Sequence, residues 1–98
     1  MKRQVEYHPA AKEEIYEAII WYEDKVEGLG LELMFELKQA EHRIIQEPEM
    51  WHKYESETRR YLLKRFPYAI IYMIAGKKIQ IIAFAHYKRK PGYWEDRV

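Results

Sequence analysis

The chain has 98 residues, of which 48% are apolar, 34% are charged and none is cysteine. A chain of this length and composition can bury one apolar core, so we expect a single domain spanning residues 1–98. The lack of cysteine excludes a disulfide-stapled fold. No apolar run approaches the roughly 18 residues that a membrane span requires, and we therefore expect a cytoplasmic protein without membrane contact.

The net charge of +1 conceals an uneven distribution of charge along the chain. Residues 1–49 contain twelve acidic and six basic side chains, whereas residues 50–98 contain four acidic and eleven basic ones. Such asymmetry indicates that the second half faces a polyanion or an acidic partner. The alternative is that the two halves neutralise each other across the fold.

The first half of the chain predicts a short strand followed by a helical hairpin. Residues 2–7 have the character of a strand, and Pro9 suits the first turn of a helix, where its missing N–H would be unpaired anyway. Apolar residues then recur every three or four positions, as in an amphipathic helix. A second stripe of this kind covers residues 31–47 and ends at Pro48. We expect Gly28-Leu29-Gly30 to link the two helices.

The polar and aromatic residues of the first helix have simple structural interpretations. Glu13, Glu14 and Glu17 lie early in the helix, where acidic groups favour the helix dipole. We expect these glutamates to lie on a solvated outer face. Trp21 and Tyr22 are expected to pack within the molecule.

The second half predicts three strands. Residues 58–66 alternate basic and apolar side chains, and Pro67 interrupts them. Residues 68–75 and 79–87 are almost wholly apolar, as in buried central strands, and Gly76-Lys77-Lys78 forms the turn between them. The stretch before the strand predicted at residues 58–66 is expected to be irregular. The predicted fold is therefore α+β, in the order β-α-α-β-β-β, with the helical hairpin on one face of a small, mainly antiparallel sheet.

Basic side chains cluster in and around the predicted strands. By strand alternation, Arg59 and Arg65 share one face while Arg60 and Lys64 share the other. Cations at such positions bind a polyanion or form an exposed sheet edge that resists aggregation. The chain ends in a basic turn followed by Tyr93 and Trp94, which either stack on a partner or fold back and pack.

Three segments resemble the RelE/ParE superfamily of toxins from type II toxin–antitoxin systems. They are "HPAAKEEIYEAIIWYEDKVEGLGLEL", "RRYLLKRFPYAIIYMI" and "IIAFAHYKRKPGYW", which together span nearly the whole chain. The resemblance implies a plasmid-stabilisation type of toxin that inhibits growth and is neutralised by a cognate antitoxin. Relatives either cleave mRNA on the ribosome or inhibit DNA gyrase, and fold alone does not decide between these targets.

Metal-independent cleavage of RNA requires a base, an acid and cations that stabilise the charge growing on the phosphate. If the chain is such an endoribonuclease, the catalytic candidates are Arg65, His86, Arg89 and Tyr93. His86 suits the role of base or acid, because imidazole can both accept and donate a proton, although a structural role at the end of its strand is the alternative. The candidates for binding nucleic acid or another target are Arg59, Arg60, Lys64, Lys88, Lys90 and Trp94. The histidines lack metal-ligand spacing, so we expect no metal and no cofactor.

One departure from the family pattern bears on the target. In RNA-cleaving relatives an arginine commonly follows the aromatic residue that begins the central strand. Here that aromatic is Tyr68, and Ala69 follows it. An alanine offers no charge to a phosphate, so the sequence favours the ParE-like alternative, in which the target is a protein such as gyrase. A relative that binds antitoxin without being toxic is the third alternative.

The resemblance also implies a partner. An acidic, amphipathic antitoxin segment would suit the basic half and the apolar grooves of the helices, and would fold on binding. We expect Lys64 and Arg65 to contribute to that contact. A homodimer, or a heterotetramer with the antitoxin, is compatible with this arrangement.

Overall fold

The computed structural model describes residues 3–98. Its helices and strands are β1 (Gln4–Tyr7), α1 (Pro9–Lys25), α2 (Leu29–Gln46), β2 (His52–Lys53), β3 (Arg59–Leu62), β4 (Tyr68–Ala75) and β5 (Lys78–His86). The α+β fold and the order of its main elements are confirmed. The two-residue strand β2 is an addition, in a stretch that was expected to be irregular. Residue 2 of the predicted first strand lies outside the described residues.

The strands form one sheet in the order β1-β5-β4-β3-β2. β1 runs parallel to β5 and the other neighbours are antiparallel, which confirms a mainly antiparallel sheet. The two most apolar strands, β4 and β5, occupy its centre, as burial on both faces requires. Ile82 is an extra residue on β5, because Ile71 of β4 pairs with Ala83 and Tyr72 pairs with Ile81. This β-bulge places the side chains of Ile82 and Ala83 in the same cluster of buried residues.

The helical hairpin covers one face of the sheet. α1 begins at Pro9, directly after His8, whose Nδ1 accepts a hydrogen bond from the N–H of Ala10 and so caps the helix. Leu33 and Ile44 of α2 are buried against sheet residues that include Tyr72 and Phe84. The apolar stripes of both helices and the helix-facing side chains of the sheet therefore share one core, as predicted.

The link between the helices comprises residues 26–28 and so lies two residues earlier than predicted. Gly28 adopts a left-handed conformation with φ of +88°, and α2 begins at the next residue, so Gly30 lies inside the helix. The carboxylate of Glu23 in α1 accepts hydrogen bonds from the N–H groups of Gly28, at 2.8 Å, and Gly30, at 2.9 Å. A side chain of the first helix thus satisfies N–H groups at the start of the second, which lets α2 start two residues early.

The strand predicted for residues 58–66 is too long. β3 ends at Leu62, and the chain then turns toward α2 because Glu36 accepts hydrogen bonds from the backbone N–H groups of Lys64 and Arg65. Arg65 also forms an ion pair with Glu32 of α2. The expectation that strand alternation separates Arg65 from Lys64 is wrong, since both residues lie beyond the strand and beside α2.

The face of the sheet opposite the helices carries a second, smaller core. The C-terminal segment folds back across it and places Trp94, which is 1% exposed, against Ala69, Ile71 and Ala83. The tail therefore packs on the sheet, which was one of the two alternatives for Tyr93 and Trp94.

Candidate binding cleft on the open face of the sheet

An open cleft lies between the strands of this second face and the C-terminal segment. Its volume is about 280 Å³, and its floor is formed by small and apolar side chains, among them Leu62, Ala69, Ile71 and Ala85. Its polar lining is basic and aromatic, comprising Tyr54, Arg60, His86, Tyr87, Arg89, Lys90 and Tyr93. We refer to this feature as the open-face cleft.

Two arginines of the cleft are held by aromatic rings. The guanidinium of Arg60 lies 4.4 Å from the ring centroid of Tyr54, and that of Arg89 lies 3.8 Å from the ring centroid of Tyr93. Cation–π contacts of this kind fix the position of a guanidinium while leaving its N–H donors free. No acidic residue lines the cleft. The ion pairs found within residues 3–98 do not include Arg60, Arg89 or Lys90, so the cleft has an unneutralised positive charge.

His86 lies at the rim of the cleft, where β5 ends. Its Nδ1 accepts a hydrogen bond of 3.0 Å from the N–H of Lys88, and its ring packs edge-on against Tyr68. A neutral imidazole whose Nδ1 accepts a hydrogen bond carries its proton on Nε2. In this arrangement Nε2 is a donor, which suits a hydrogen bond to an anion and does not suit the role of a general base.

Tyr93 is held by a network that sequence reasoning missed. Its hydroxyl donates a hydrogen bond of 2.7 Å to Glu14, and Arg97 binds both carboxylate oxygens of Glu14, at 3.0 and 3.1 Å. Glu14 also accepts the N–H of Phe84. Burial, reinforced by the hydrogen bond to Glu14, raises the pKa of Tyr93 well above its usual value. The Tyr93 hydroxyl is therefore protonated at neutral pH and engaged within the molecule.

Glu14 takes this position because β1 is short. The parallel pairing of β1 with β5 ends at Tyr7, opposite Ile81, so the N–H of Phe84 has no strand beside it. The Glu14 carboxylate accepts that N–H, and the Arg97 guanidinium donates to the carbonyl of Ile82 on the same edge. The expectation that Glu14 lies on a solvated face is wrong, since its side chain is 17% exposed.

We expect Glu14→Gln to lower the free energy of unfolding by about 2 kcal/mol, because it leaves the partly buried guanidinium of Arg97 without its counter-charge. Urea denaturation would measure this change. Glu13→Gln is the matched control, since Glu13 is an exposed neighbour on the same helix, and it should change stability by less than about 0.5 kcal/mol. Equal stability of the two variants would show that the network does not hold the C-terminal segment.

The other predicted site residues lie in different surroundings. Arg59 donates hydrogen bonds to the backbone carbonyls of Glu49 and Trp51, both at 2.9 Å, and so secures the loop before β3. Lys88 is exposed in the turn after β5 and does not line the cleft. Trp94 is almost wholly buried and presents no free ring face to a partner. Lys64 and Arg65 lie beside α2, so the residues that the fold gathers at the cleft are Arg60, His86, Arg89, Lys90 and Tyr93.

Ala69 lies in the floor of the cleft and is 4% exposed. It pairs with Leu62 on β3 and with Ala85 on β5, so small or apolar groups flank it on both strands. Arg65 does not compensate for the missing charge, since it is paired with Glu32. Arg60 is the arginine nearest to Ala69 in the strand register, because it pairs with Ile71, two residues further along β4.

The fold is similar to that of a chain in a solved structure described as the chromosomal ParDE TA system from P. aeruginosa. The two chains are 16% identical, the match covers 86% of this chain and 95% of the other, and the TM-score is 0.76. This similarity confirms the predicted RelE/ParE-type fold. Neither a family model nor a curated protein matches the sequence.

The outer face of the hairpin carries apolar side chains that contact solvent. Five of them, on α1 and α2, are between 44% and 67% exposed: Tyr16, Ile20, Leu31, Met34 and Phe35. We call these residues the hairpin patch. Trp21, also on α1, is 55% exposed, so the expectation that it packs within the molecule is wrong. Exposed apolar groups in this number are typical of a surface that binds another protein.

Residues 3–98 lack two further features. No group of three or more histidine, aspartate or glutamate side chains is arranged to hold a metal ion. No helix is long and apolar enough to cross a membrane.

Proposed function

We propose that this chain is the toxin of a type II toxin–antitoxin pair and that a cognate antitoxin neutralises it. The observation that carries the proposal is the match in fold to the ParDE chain over most of both chains. The quoted sequence segments support the same assignment.

We further propose that the toxin acts by binding a protein, with DNA gyrase as the first candidate. The open-face cleft is poorly suited to cleaving RNA. Ala69 stands where RNA-cleaving relatives commonly have an arginine, and the Tyr93 hydroxyl already donates its hydrogen bond to Glu14. Nδ1 of His86, a ring nitrogen that could act as the base, already accepts a hydrogen bond from the N–H of Lys88. What remains is a preorganised basic surface, which suits electrostatic recognition.

The antitoxin is proposed to contact two surfaces. The hairpin patch offers apolar area for an amphipathic helix, and the open-face cleft offers cations for acidic side chains. Lys64 and Arg65 are less suitable than expected, because Glu32 and Glu36 already engage them. A homodimer, or a heterotetramer with the antitoxin, is part of this proposal.

A ribosome-dependent or free endoribonuclease is the second candidate. It is favoured by the acid-free lining of the cleft, where Arg60, Arg89 and Lys90 resemble a site for a phosphate backbone. Such an enzyme would have to work without an arginine at position 69, with Arg60 as the nearest replacement.

Two assays on the purified protein separate these candidates. If the proposal is correct, the protein inhibits gyrase-catalysed supercoiling of relaxed plasmid and leaves mRNA intact on translating ribosomes. Arg60→Glu with Arg89→Glu should reduce the inhibition at least about tenfold if the cleft contacts the target. Normal supercoiling at large molar excess, together with cut transcripts, would establish the ribonuclease instead.

A further inference from the structure

A second concavity lies on the helix-covered side, between α1 and the end of β5. Its volume is about 420 Å³, and its walls include Ala18, Tyr22, Tyr68 and Phe84. Tyr68 stacks on Phe84 with ring centroids 4.4 Å apart, and Tyr22 lies edge-on to Tyr68 at 6.4 Å. We call this feature the aromatic groove.

Some polar groups that line the aromatic groove have no hydrogen bond or ion pair to other residues among 3–98. Within residues 3–98, the hydroxyls of Tyr22 and Tyr68 form no hydrogen bond, and the carboxylate of Glu17 forms no ion pair. Burial raises the pKa of both tyrosines, so both hydroxyls are protonated at neutral pH and act as neutral donors and acceptors. Glu14 also borders the groove, but Tyr93, Arg97 and the N–H of Phe84 already use its oxygens. The available negative charge is therefore that of Glu17.

Trp21 forms the outer rim of the groove, and a cation of the same molecule, the ammonium of Lys25, already lies over its ring. Its indole packs edge-on against Tyr22, with ring centroids 5.0 Å apart. The ammonium of Lys25 lies 5.0 Å from the centroid of the Trp21 ring. An exposed indole beside a free carboxylate and phenolic oxygens is the combination that binds a flat, delocalised cation.

We propose that the aromatic groove binds an arginine side chain of a protein partner. The guanidinium stacks on the aromatic rings and pairs with the carboxylate of Glu17, and the phenolic oxygens accept its remaining N–H groups. Arg89 and His86 line the β5 side of the groove. Arg89 is held on the ring of Tyr93, and its charge directs the incoming guanidinium toward α1. That the partner is the antitoxin rests on the proposed function, whereas the ligand chemistry rests on the groove alone.

NMR titration of the free protein with N-acetyl-L-arginine amide tests the proposal. We expect the indole N–H of Trp21 to shift with a dissociation constant in the millimolar range. The uncharged analogue N-acetyl-L-citrulline amide should bind at least about threefold more weakly, as expected for an exposed ion pair. Equal shifts with both compounds, or no shift with either, would overturn the proposal.

Three variants test which charges contribute to arginine binding in this titration. Glu17→Gln should weaken arginine binding about threefold, and Glu13→Gln, which changes the same charge outside the groove, should leave it unchanged. Arg89→Gln should strengthen binding about twofold by removing a like charge. Identical affinities for Glu17→Gln and Glu13→Gln would also overturn the proposal. The titration uses neither antitoxin nor gyrase, so its failure would leave the proposed function intact, and failure of the toxin assays would not affect the groove.

Discussion

Gly30→Ala should lower the free energy of unfolding by about 2 kcal/mol or more, as expected for an overpacked helix contact. A Cβ at this position would lie 2.8 Å from the backbone carbonyl oxygen of Ile19 and 2.9 Å from Oε1 of Glu23. The carbonyl belongs to α1 and cannot move alone, so the helices must separate and the cap that Glu23 provides must weaken. Intrinsic helix propensity predicts the opposite sign, a gain of about 1 kcal/mol for alanine over glycine. Urea denaturation followed by circular dichroism would measure the change.

Gly28→Ala is the matched control for this prediction. A Cβ at Gly28 would meet nothing within 4 Å, but the residue has a φ of +88°. The expected loss is the strain of a left-handed alanine, about 1 kcal/mol. A Gly30→Ala protein as stable as the wild type would contradict the close approach of α1 and α2 at this point.

Trp94→Ala should be the most destabilising single substitution in the C-terminal segment, with a loss of about 4 kcal/mol. Trp94 is 1% exposed and fills the second core against Ile71 and Ala83. Its removal leaves a cavity on the open face and releases the segment that carries Tyr93 and Arg97. Such a loss is a large fraction of the stability of a domain of this size.

Trp21→Ala provides the comparison, because it removes the same side chain from an exposed position. Since Trp21 is 55% exposed, we expect a loss of less than about 1 kcal/mol. Trp94→Phe, which keeps most of the apolar volume, should recover part of the loss if Trp94→Ala fails to fold. Similar stabilities for the two alanine variants would show that the C-terminal segment does not pack on the sheet.

The elements that sequence reasoning found are those with strong periodicity. The stripes of α1 and α2 and the apolar runs of β4 and β5 each have one low-energy arrangement, because each must bury its apolar side against another element. The boundaries were less predictable. β3 ends at Leu62 because Glu36, which is distant in sequence, captures the following N–H groups, and no local pattern indicates that contact.

The candidate site was only partly predictable for the same reason. The basic residues near the strand ends predicted a binding surface. The fold brings three of them together at one cleft, namely Arg60, Arg89 and Lys90. The role of Glu14 depends on where β1 stops beside β5, and the partner of Glu14 is Arg97, 83 residues away. Trp94 was assigned to a binding surface because an aromatic residue in a basic tail suits either role, and its burial is decided by tertiary packing.

Growth after induced expression is the most direct test of whether the chain is a toxin that an antitoxin neutralises. We expect cells that express the chain alone to stop growing, and cells that also express the product of the adjacent reading frame to grow normally. The Trp94→Ala protein, in which the C-terminal segment should no longer pack on the sheet, is the control for expression burden. Unimpaired growth at a high level of soluble, folded wild-type protein would contradict the central claim.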